Sequence, residues 1–158
     1  MFAIYRSRRG EYLSNTASVG EIAEHLSNCD ADFEPPLSSR VPLGGYARKI
    51  AAQSTRFEAW SGSKLVGLLA IYCNEPGKCV AYITNVSVLR RHARNGIANC
   101  LVSRAVKYAK ESGMSQIRLE VVPENVRAIS LYGKNGFVLC GENRSPMTMA
   151  LFFNIAKQ

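Results

Sequence analysis

The sequence has 158 residues, which is enough for one domain with a substantial core and too few for two ordinary domains. Hydrophobic residues make up 47% of the chain and charged residues 20%, a composition that excludes an intrinsically disordered protein. The formal net charge of +8, from 20 Lys and Arg against 12 Asp and Glu, indicates an anionic partner such as a polyanionic ligand, a nucleic acid or an acidic surface.

The cysteines and the N-terminal segment bear on compartment and metal binding. The 5 cysteines contain no C-x-x-C pair and there are only 2 histidines, so neither a disulfide framework nor a zinc site is expected, although Cys73 and Cys79 could bridge a hairpin. The segment MFAIYRSRRG lacks the apolar core of a signal peptide, and no apolar run approaches the roughly 20 residues of a membrane span. We therefore expect a reduced, cytoplasmic protein that binds neither a metal nor a membrane.

The first half of the chain predicts two helices and then an antiparallel meander of strands. Ser18 and Glu21 have capping-box spacing, which predicts a helix over 19–28. The acidic, proline-containing stretch 29–39 is predicted to be a loop, and a second helix is expected over 45–53. The strands of the meander are predicted at 56–60, 64–73 and 79–89, linked by turns at 61–63 and in the NEPGK stretch at 74–78.

The second half alternates strands and helices. Apolar residues recur every four positions from Ile97 to Ala109, which predicts a helix that begins near residue 97 and is ended by Gly113. Asn125 is a capping signal for a further helix that runs to about 134. Strands are predicted at 116–122, 137–140 and 147–153. This order of elements indicates a mixed α/β sheet.

A run of basic residues directly precedes the helix that begins near residue 97. The stretch RRHARNGIANCLV, 90–102, has Arg or His at four of its first five positions, and such charge at a helix N-terminus is unfavourable unless an anion lies nearby. Gly96 and Ala98 are small enough to let a phosphate approach the main-chain N–H groups. A pyrophosphate cradle is one interpretation of this turn, and a solvated basic loop is the alternative that this segment alone leaves open.

Two segments together resemble the GCN5-related N-acetyltransferase (GNAT) family, whose members transfer an acyl group from coenzyme A to an amine. Residues 93–98 are similar to the family's pyrophosphate turn, Q/R-x-x-G-x-G/A, but have Ala93 in place of Gln or Arg, and Arg94 where glycine is frequent. The family pattern N-x-x-A-x-x-L-Y-x-x-x-G-F is reproduced by Asn125, Ala128, Leu131, Tyr132, Gly136 and Phe137. The resemblance is strongest over 56–140.

The resemblance implies a fold and a cofactor. The expected fold is α/β, with a mixed, mostly antiparallel central sheet of six or seven strands, flanked by about four helices and splayed between strands 4 and 5. One domain over 1–158 is expected, with variable acceptor-side helices in 1–55, a cofactor-binding core in 56–140 and a C-terminal strand in 141–158. Acetyl-coenzyme A is the implied co-substrate. The residues implied to contact it are Val86, Val88, Arg91, Arg94, Asn95, Gly96, Ile97, Ala98 and Asn125.

Acyl transfer to an amine needs a proton acceptor, a stabilised oxyanion and a proton for the leaving thiolate. Glu120 and Tyr132 have a spacing similar to that of the base and acid in the family's ribosomal-protein N-terminal acetyltransferases, and the oxyanion donor is expected on the main chain of Val86 to Val88. A structural carboxylate that balances Arg118 is the alternative for Glu120. The other candidates for the base are water, Glu58 and the loop residues Asp30, Asp32 and Glu34.

The two histidines are not expected to act as bases. His25 is predicted on a helix surface, and His92 is predicted to contact phosphate or solvent.

The sequence therefore predicts an N-acetyltransferase that moves an acetyl group directly to a primary amine in a ternary complex. The acceptor is a small-molecule amine or a protein N-terminus, and the acidic loop favours a cationic one. A non-catalytic acyl-coenzyme A sensor is the alternative. A nucleic-acid-binding module is disfavoured, because the basic run at 90–94 has no aromatic residues for stacking. The sequence leaves open whether the protein forms a homodimer.

Overall fold

In the computed structural model, the described residues, 5–7, 10–73, 79–141 and 145–154, form one mixed sheet with helices on both faces. The strands are β1 (Tyr5–Ser7), β2 (Gly10–Ser14), β3 (Thr55–Ser61), β4 (Lys64–Tyr72), β5 (Val80–Val88), β6 (Gln116–Val121), β7 (Val138–Cys140) and β8 (Met147–Phe152). The helices are α1 (Val19–Cys29), α2 (Leu43–Gln53), α3 (Ile97–Glu111) and α4 (Val126–Lys134). The strand order is β1-β2-β3-β4-β5-β6-β8-β7, and only β5 and β6 run parallel.

The central strand β4 separates two apolar cores. Its side chains alternate between the faces of the sheet and are buried on both, which explains the unbroken apolar run in its sequence. One core joins β4 to α1 and α2 through Leu65, Leu68, Ala70, Ile22, Leu26, Ala47 and Ile50. The other joins β4 to α3 through Val66, Leu69, Ile71, Leu101, Val102 and Ala105. The sheet therefore has an α1/α2 layer on one face and an α3 layer on the other.

A glycine fixes where the start of α3 sits on the sheet. A Cβ on Gly67 of β4 would lie 2.8 Å from Ile97 Cγ2, so only glycine permits this close approach of the helix. Gly67 is also the cross-strand partner of Val88, at the end of β5. The close packing at Gly67 thus holds the N-terminus of α3 beside the end of β5.

The parallel strands β5 and β6 separate partway along their length. They pair only from Val80 opposite Gln116 to Tyr82 opposite Arg118. Beyond Tyr82, β6 continues to pair with β8, while β5 stays paired with β4 through a register shift opposite Thr84. The expected splay is therefore present, and it opens the sheet over the second half of β5.

The expected mixed, mostly antiparallel α/β fold is confirmed, and the ends of the predicted elements lie within about two residues of those observed. The stretch 29–39 contains two short 3-10 turns, and the predicted turn at 74–78 lies outside the described residues. The Ser18 capping box is confirmed, with the Ser18 Oγ accepting from Glu21 N and the Glu21 carboxylate accepting from Ser18 N.

The first 55 residues also contribute strands that the sequence analysis did not predict. Residues 5–7 and 10–14 form an antiparallel hairpin at the edge of the sheet, which gives eight strands. If the hairpin is counted as one strand, the sheet has seven strands, and the splay lies between the fourth strand, β5, and the fifth, β6. The hairpin escaped prediction because β2 is short and Tyr12 is its one buried residue, so the strand has almost no apolar alternation to detect.

Candidate active site

Two adjoining cavities open where β5 and β6 separate. The first, which we call the turn cavity, has a volume of about 550 Å³ and lies among the end of β5, the turn before α3, the first turn of α3, and α4. The second, the splay cavity, has a volume of about 400 Å³ and lies among β5, β6, α4 and the loop after α1. Residues that line both cavities are Val88, Ala98, Arg127, Ala128 and Leu131. An elongated ligand can therefore extend from one cavity into the other.

The turn before α3 points main-chain donors at the turn cavity. Gly96 is the N-cap of α3 with a φ of 76°, a left-handed conformation that glycine adopts without strain. No side chain caps α3, and its first intrahelical bond runs from Cys100 N to Gly96 O at 3.0 Å. The preceding N–H groups, of Ile97, Ala98 and Asn99, have no partner within the helix, and all three residues line the turn cavity.

The walls of the turn cavity are basic. Its lining includes His92, Arg94, Arg127 and Lys134, and no Asp or Glu is found among the described lining residues. The cationic side chains and the N-terminus of α3 together suit a diphosphate. Sequence reasoning missed Arg127 and Lys134, although their spacing of seven residues on α4 puts them on one helical face.

Three residues near the turn lie away from both cavities. The Arg90 guanidinium binds the Asp32 carboxylate across the surface, with Nη2 at 2.6 Å from Oδ1. Arg91 and Asn95 are exposed and line neither cavity. The basic run before α3 is thus divided, with His92 and Arg94 at the turn cavity, while the proposed cofactor contacts of Arg91 and Asn95 stay predictions.

Tyr132 is buried in the wall of the splay cavity. Its ring packs against Phe137, with 5.8 Å between centroids, and burial raises the pKa of its hydroxyl to about 12. Its helix is capped as predicted, because Asn125 Oδ1 accepts a hydrogen bond of 3.2 Å from Ala128 N. The phenol therefore keeps its hydrogen throughout the neutral pH range and faces a cavity that Asn125 also lines.

Glu120 lines the same cavity from β6. Its side chain is exposed, on the face of β6 opposite the buried Leu119 and Val121, as the sequence predicts. The Arg118 guanidinium, which the structural alternative for Glu120 would have it balance, donates to Gln116 Oε1 at 2.7 Å. Of the residues predicted from the sequence, those that the structure brings to the splay cavity are Asp32, Glu34, Val86, Val88, Ala98, Glu120, Asn125 and Tyr132.

The comparisons with known proteins agree with this geometry. The sequence profile of the Acetyltransferase (GNAT) family matches residues 21–137. The chain belongs to this family. It is 34% identical to a streptothricin acetyltransferase of Escherichia coli over 141 residues, which cover 89% of this chain and 69% of that protein.

Two further GNAT proteins define how far the likeness extends. The chain is 34% identical over 83 residues to the N-alpha-acetyltransferase MAK3 of Arabidopsis thaliana, covering 52% of this chain and only 44% of that relative. A putative streptothricin acetyltransferase of Bacillus anthracis, solved in complex with acetyl coenzyme A, superposes with a TM-score of 0.56 at 26% identity and covers 65% of this chain and 64% of that one. The GNAT fold of this chain is therefore shared with a protein that binds acetyl-coenzyme A.

Glu58 is not available as a base in this GNAT chain, contrary to one of the sequence-based alternatives. Its side chain is fully buried in β3 and lines neither cavity. The carboxylate accepts hydrogen bonds from Thr16 N and Oγ1, from Ala17 N at 2.9 Å and from Trp60 Nε1 at 3.3 Å. Glu58 thus ties the segment before α1 to the sheet, and its lone pairs are already used.

The acidic loop after α1 is only partly directed at the splay cavity. Asp30 accepts hydrogen bonds from Ser38 N and Oγ at 2.7 and 2.6 Å, and these bonds lower the pKa of its carboxyl group. Asp32 pairs with Arg90, while Asp32 and Glu34 both line the splay cavity. A cationic acceptor would therefore meet Asp32 and Glu34 rather than Asp30.

The prediction for His25 is also wrong, because this side chain is buried rather than on the helix surface. Its ring packs between α1 and the sheet and bonds to β4 and β5. Among the residues that the structure describes, no three potential metal ligands converge, the cysteines are free, and no helix has the length and apolarity of a membrane span.

Proposed function

We propose that this protein is an acetyl-coenzyme A-dependent N-acetyltransferase that transfers the acetyl group to a primary amine directly, in a ternary complex. The observation that carries the proposal is the continuity of two different cavities: a basic one suited to a diphosphate, and one with a carboxylate and a buried phenol. Membership of the GNAT family and the likeness to a structure that holds acetyl-coenzyme A support the same assignment.

The turn cavity holds the diphosphate of the cofactor in this proposal. The N–H groups of Ile97 and Ala98 donate to the phosphate oxygens, and Arg94 and Arg127 neutralise their charge. The pantetheine arm then follows the residues shared by both cavities and brings the thioester to β5. There the second half of the strand is not paired with β6, so main-chain groups near Val86 and Val88 are available to the thioester carbonyl.

The splay cavity supplies the proton transfers. Glu120, directly or through a water molecule, takes a proton from the ammonium form of the acceptor, and the neutral nitrogen attacks the thioester carbonyl. Collapse of the tetrahedral oxyanion breaks the carbon–sulfur bond, and the thiolate takes a proton from Tyr132. The nitrogen then loses its second proton to give the neutral amide, and this proton restores the Tyr132 hydroxyl through water. Burial raises the pKa of Tyr132 to about 12, so the phenol still carries its hydrogen when the thiolate leaves.

The acceptor is proposed to be a cationic amine that approaches between Asp32, Glu34 and Glu120, all on the wall of the splay cavity. One relative is a streptothricin acetyltransferase and another an N-alpha-acetyltransferase, so both a small-molecule amine and a peptide are candidates.

The experiment is a thiol-release assay with acetyl-coenzyme A and a panel containing streptothricin, N-terminal peptides, polyamines and amino sugars. We expect release with at least one amine, and none with the Gly96→Glu variant, which should bind no cofactor. Tight cofactor binding without thiol release for any amine would contradict the proposal and favour a non-catalytic acyl-coenzyme A sensor.

A further inference from the structure

A buried side chain with an unused hydrogen-bond donor lies on the wall of the splay cavity. Asn85 of β5 is 4% exposed, and its Nδ2 makes no hydrogen bond of normal distance and angle among the described residues, although the side chain is near enough to the Tyr46 hydroxyl to act against the burial that raises the pKa of Tyr46. Buried amide groups are nearly always paired, because removing them from water without a partner is costly. An unpaired donor at a cavity wall therefore points to a ligand that supplies the missing oxygen.

The register of the sheet shows which side of the cavity Asn85 serves. Asn85 pairs with Ala70, whose side chain belongs to the core under α1 and α2. Val86 pairs with Leu69, whose side chain belongs to the core under α3. Asn85 therefore projects toward the α1/α2 layer, away from the face on which α3 and the proposed cofactor site lie. An oxygen bound by Asn85 belongs to the acceptor rather than to the diphosphate end of the cofactor.

The Asn85 side chain is hydrogen-bonded to a series of buried polar groups. The Ser87 hydroxyl donates to Asn85 Oδ1 at 2.8 Å and lies 2.9 Å from His25 Nε2. His25 Nδ1 lies 3.1 Å from the carbonyl oxygen of Leu65, which can only accept, so Nδ1 carries a hydrogen. Cys29 Sγ lies 3.7 Å from His25 Nε2.

In this group of buried polar side chains, the number of available hydrogens equals the number of acceptors when His25 is neutral. Burial lowers the pKa of His25, which keeps Nε2 as an acceptor, and raises the pKa of the Cys29 thiol to about 11, which keeps its hydrogen. The thiol and the Ser87 hydroxyl then supply two hydrogens for two acceptors, Nε2 and Asn85 Oδ1. With the Ser87 hydroxyl donating to Asn85 Oδ1, the amide oxygen lies toward this group and Nδ2 is left for a ligand.

The charged groups around His25 lie on its outer side. Glu21, Glu24 and Lys64 line a small cavity there, together with Asn28 and His25 itself. Asp32 acts on the Cys29 thiol, raising its pKa further. No charged side chain makes a hydrogen bond to Ser87 or Asn85 among the described residues, so the orientation of Asn85 depends on neutral partners.

We propose that Asn85 Nδ2 binds a carbonyl oxygen of the acceptor, and that the substrate is an aminoacyl compound rather than a simple polyamine. Ser87 and His25 are positioning residues for this contact. A carbonyl fits better than a hydroxyl, since it brings no hydrogen that would need a further acceptor. This inference rests on the proposed function, because it assigns the acceptor of the same reaction.

The test compares lysinamide with cadaverine, which has the same two amines and lacks the carbonyl, and with lysinol, in which a hydroxyl replaces the amide. For the wild-type protein we expect kcat/KM to be at least tenfold higher with lysinamide than with the other two. Asn85→Leu should lower the ratio of kcat/KM for lysinamide to kcat/KM for cadaverine about tenfold or more, because only lysinamide loses a hydrogen bond. Ser87→Ala, which retains the amide but frees it to rotate, should reduce the same preference about threefold.

An equal loss for lysinamide and cadaverine in Asn85→Leu would overturn the proposal, and equal use of lysinol and lysinamide would overturn the choice of a carbonyl. If Asn85→Leu does not fold, the preference for lysinamide measured in Ser87→Ala decides.

If the wild-type protein releases no thiol with any amine, the proposed function fails separately. Calorimetric binding of lysinamide and cadaverine in the presence of coenzyme A then tests the contact, with loss of preference in the variants supporting it and unchanged preference contradicting it.

Discussion

Arg94 and Gly96 both have left-handed backbone conformations, with φ values of 64° and 76°, and they flank Asn95 in the turn before α3. Glycine adopts this conformation freely, whereas an L-residue such as arginine pays about 1–2 kcal/mol for it. The strain at Arg94 explains why glycine is frequent at this position in the family. In this chain the strained residue lines the turn cavity, where its charge faces the proposed diphosphate.

Replacing Arg94 by glycine should separate strain from charge. Arg94→Gly should raise the free energy of unfolding by about 1 kcal/mol, measured by chemical denaturation, because the left-handed strain is relieved. The same variant should bind coenzyme A about tenfold more weakly in calorimetry, because a charge-assisted hydrogen bond is lost. Arg94→Asn, which tolerates the conformation but has no charge, is the matched control and should lose a similar factor. Unchanged affinity in both variants would show that Arg94 does not contact the cofactor.

Gly96 should tolerate a small side chain and not an anionic one. A Cβ on Gly96 meets no atom within 4 Å, so Gly96→Ala should cost only the left-handed strain, about 1 kcal/mol of unfolding free energy. Gly96→Glu puts a carboxylate among His92, Arg94 and Arg127, where the diphosphate is proposed to bind, and should abolish coenzyme A binding in calorimetry. Normal affinity in Gly96→Glu would place the diphosphate elsewhere.

The fold was largely predictable because its elements carry strong local signals. The four-residue apolar repeat from Ile97, the end of α3 at Gly113 and the Asn125 cap each depend on neighbours within one or two turns of chain. The edge hairpin at 5–7 and 10–14 lacks such a signal and is defined instead by pairing with β3, more than forty residues away. Long-range pairing of a short polar strand is not encoded in local periodicity.

The site was predictable where a motif covers it and misjudged where burial decides the role. Tyr132 and Gly96 lie in contiguous motifs, and both line the cavities. Glu58 and His25 are polar residues in apolar surroundings, and their sequence context does not reveal that both are buried. Their roles are set by hydrogen bonds to residues distant in the chain. These partners are Thr16 and Ala17 for Glu58, and Ser87 for His25.

The two candidate carboxylates should respond differently to the same substitution. Glu120→Gln should lower kcat about a hundredfold through loss of the base and leave the unfolding free energy within about 0.5 kcal/mol, because the side chain is exposed. Glu58→Gln should lower the unfolding free energy by about 3 kcal/mol, because an amide cannot accept all the hydrogen bonds that the buried carboxylate does. Denaturation curves and steady-state kinetics measure both. An unchanged kcat in Glu120→Gln would leave water as the proton acceptor.

Tyr132→Phe should affect the chemical step and little else. The ring and its contact with Phe137 are retained, so folding and coenzyme A affinity should change little. Loss of the proton donor should lower kcat by about a hundredfold or more at unchanged KM. Single-turnover kinetics distinguish this from slowed product release. A variant with normal turnover would exclude Tyr132 as the acid.

His25 should make the protein less stable in mild acid. Burial lowers the pKa of His25 in the folded protein below its ordinary value of 6.5, so the unfolded chain binds the proton more readily. The stabilisation is therefore complete above pH 6.5 and declines as the pH falls below it, by at most about 1.4 kcal/mol per pH unit.

Between pH 7.5 and 5.5, the free energy of unfolding of the wild-type protein should fall more steeply than that of His25→Gln, in which this group no longer titrates. Glu21, Glu24 and Lys64, which line the small cavity beside His25, and His92 are present in both proteins, so the difference in slope isolates His25. Equal slopes would mean that His25 is as easily protonated in the folded protein as in the unfolded chain, and that the neutral hydrogen-bond chain to Asn85 is not maintained.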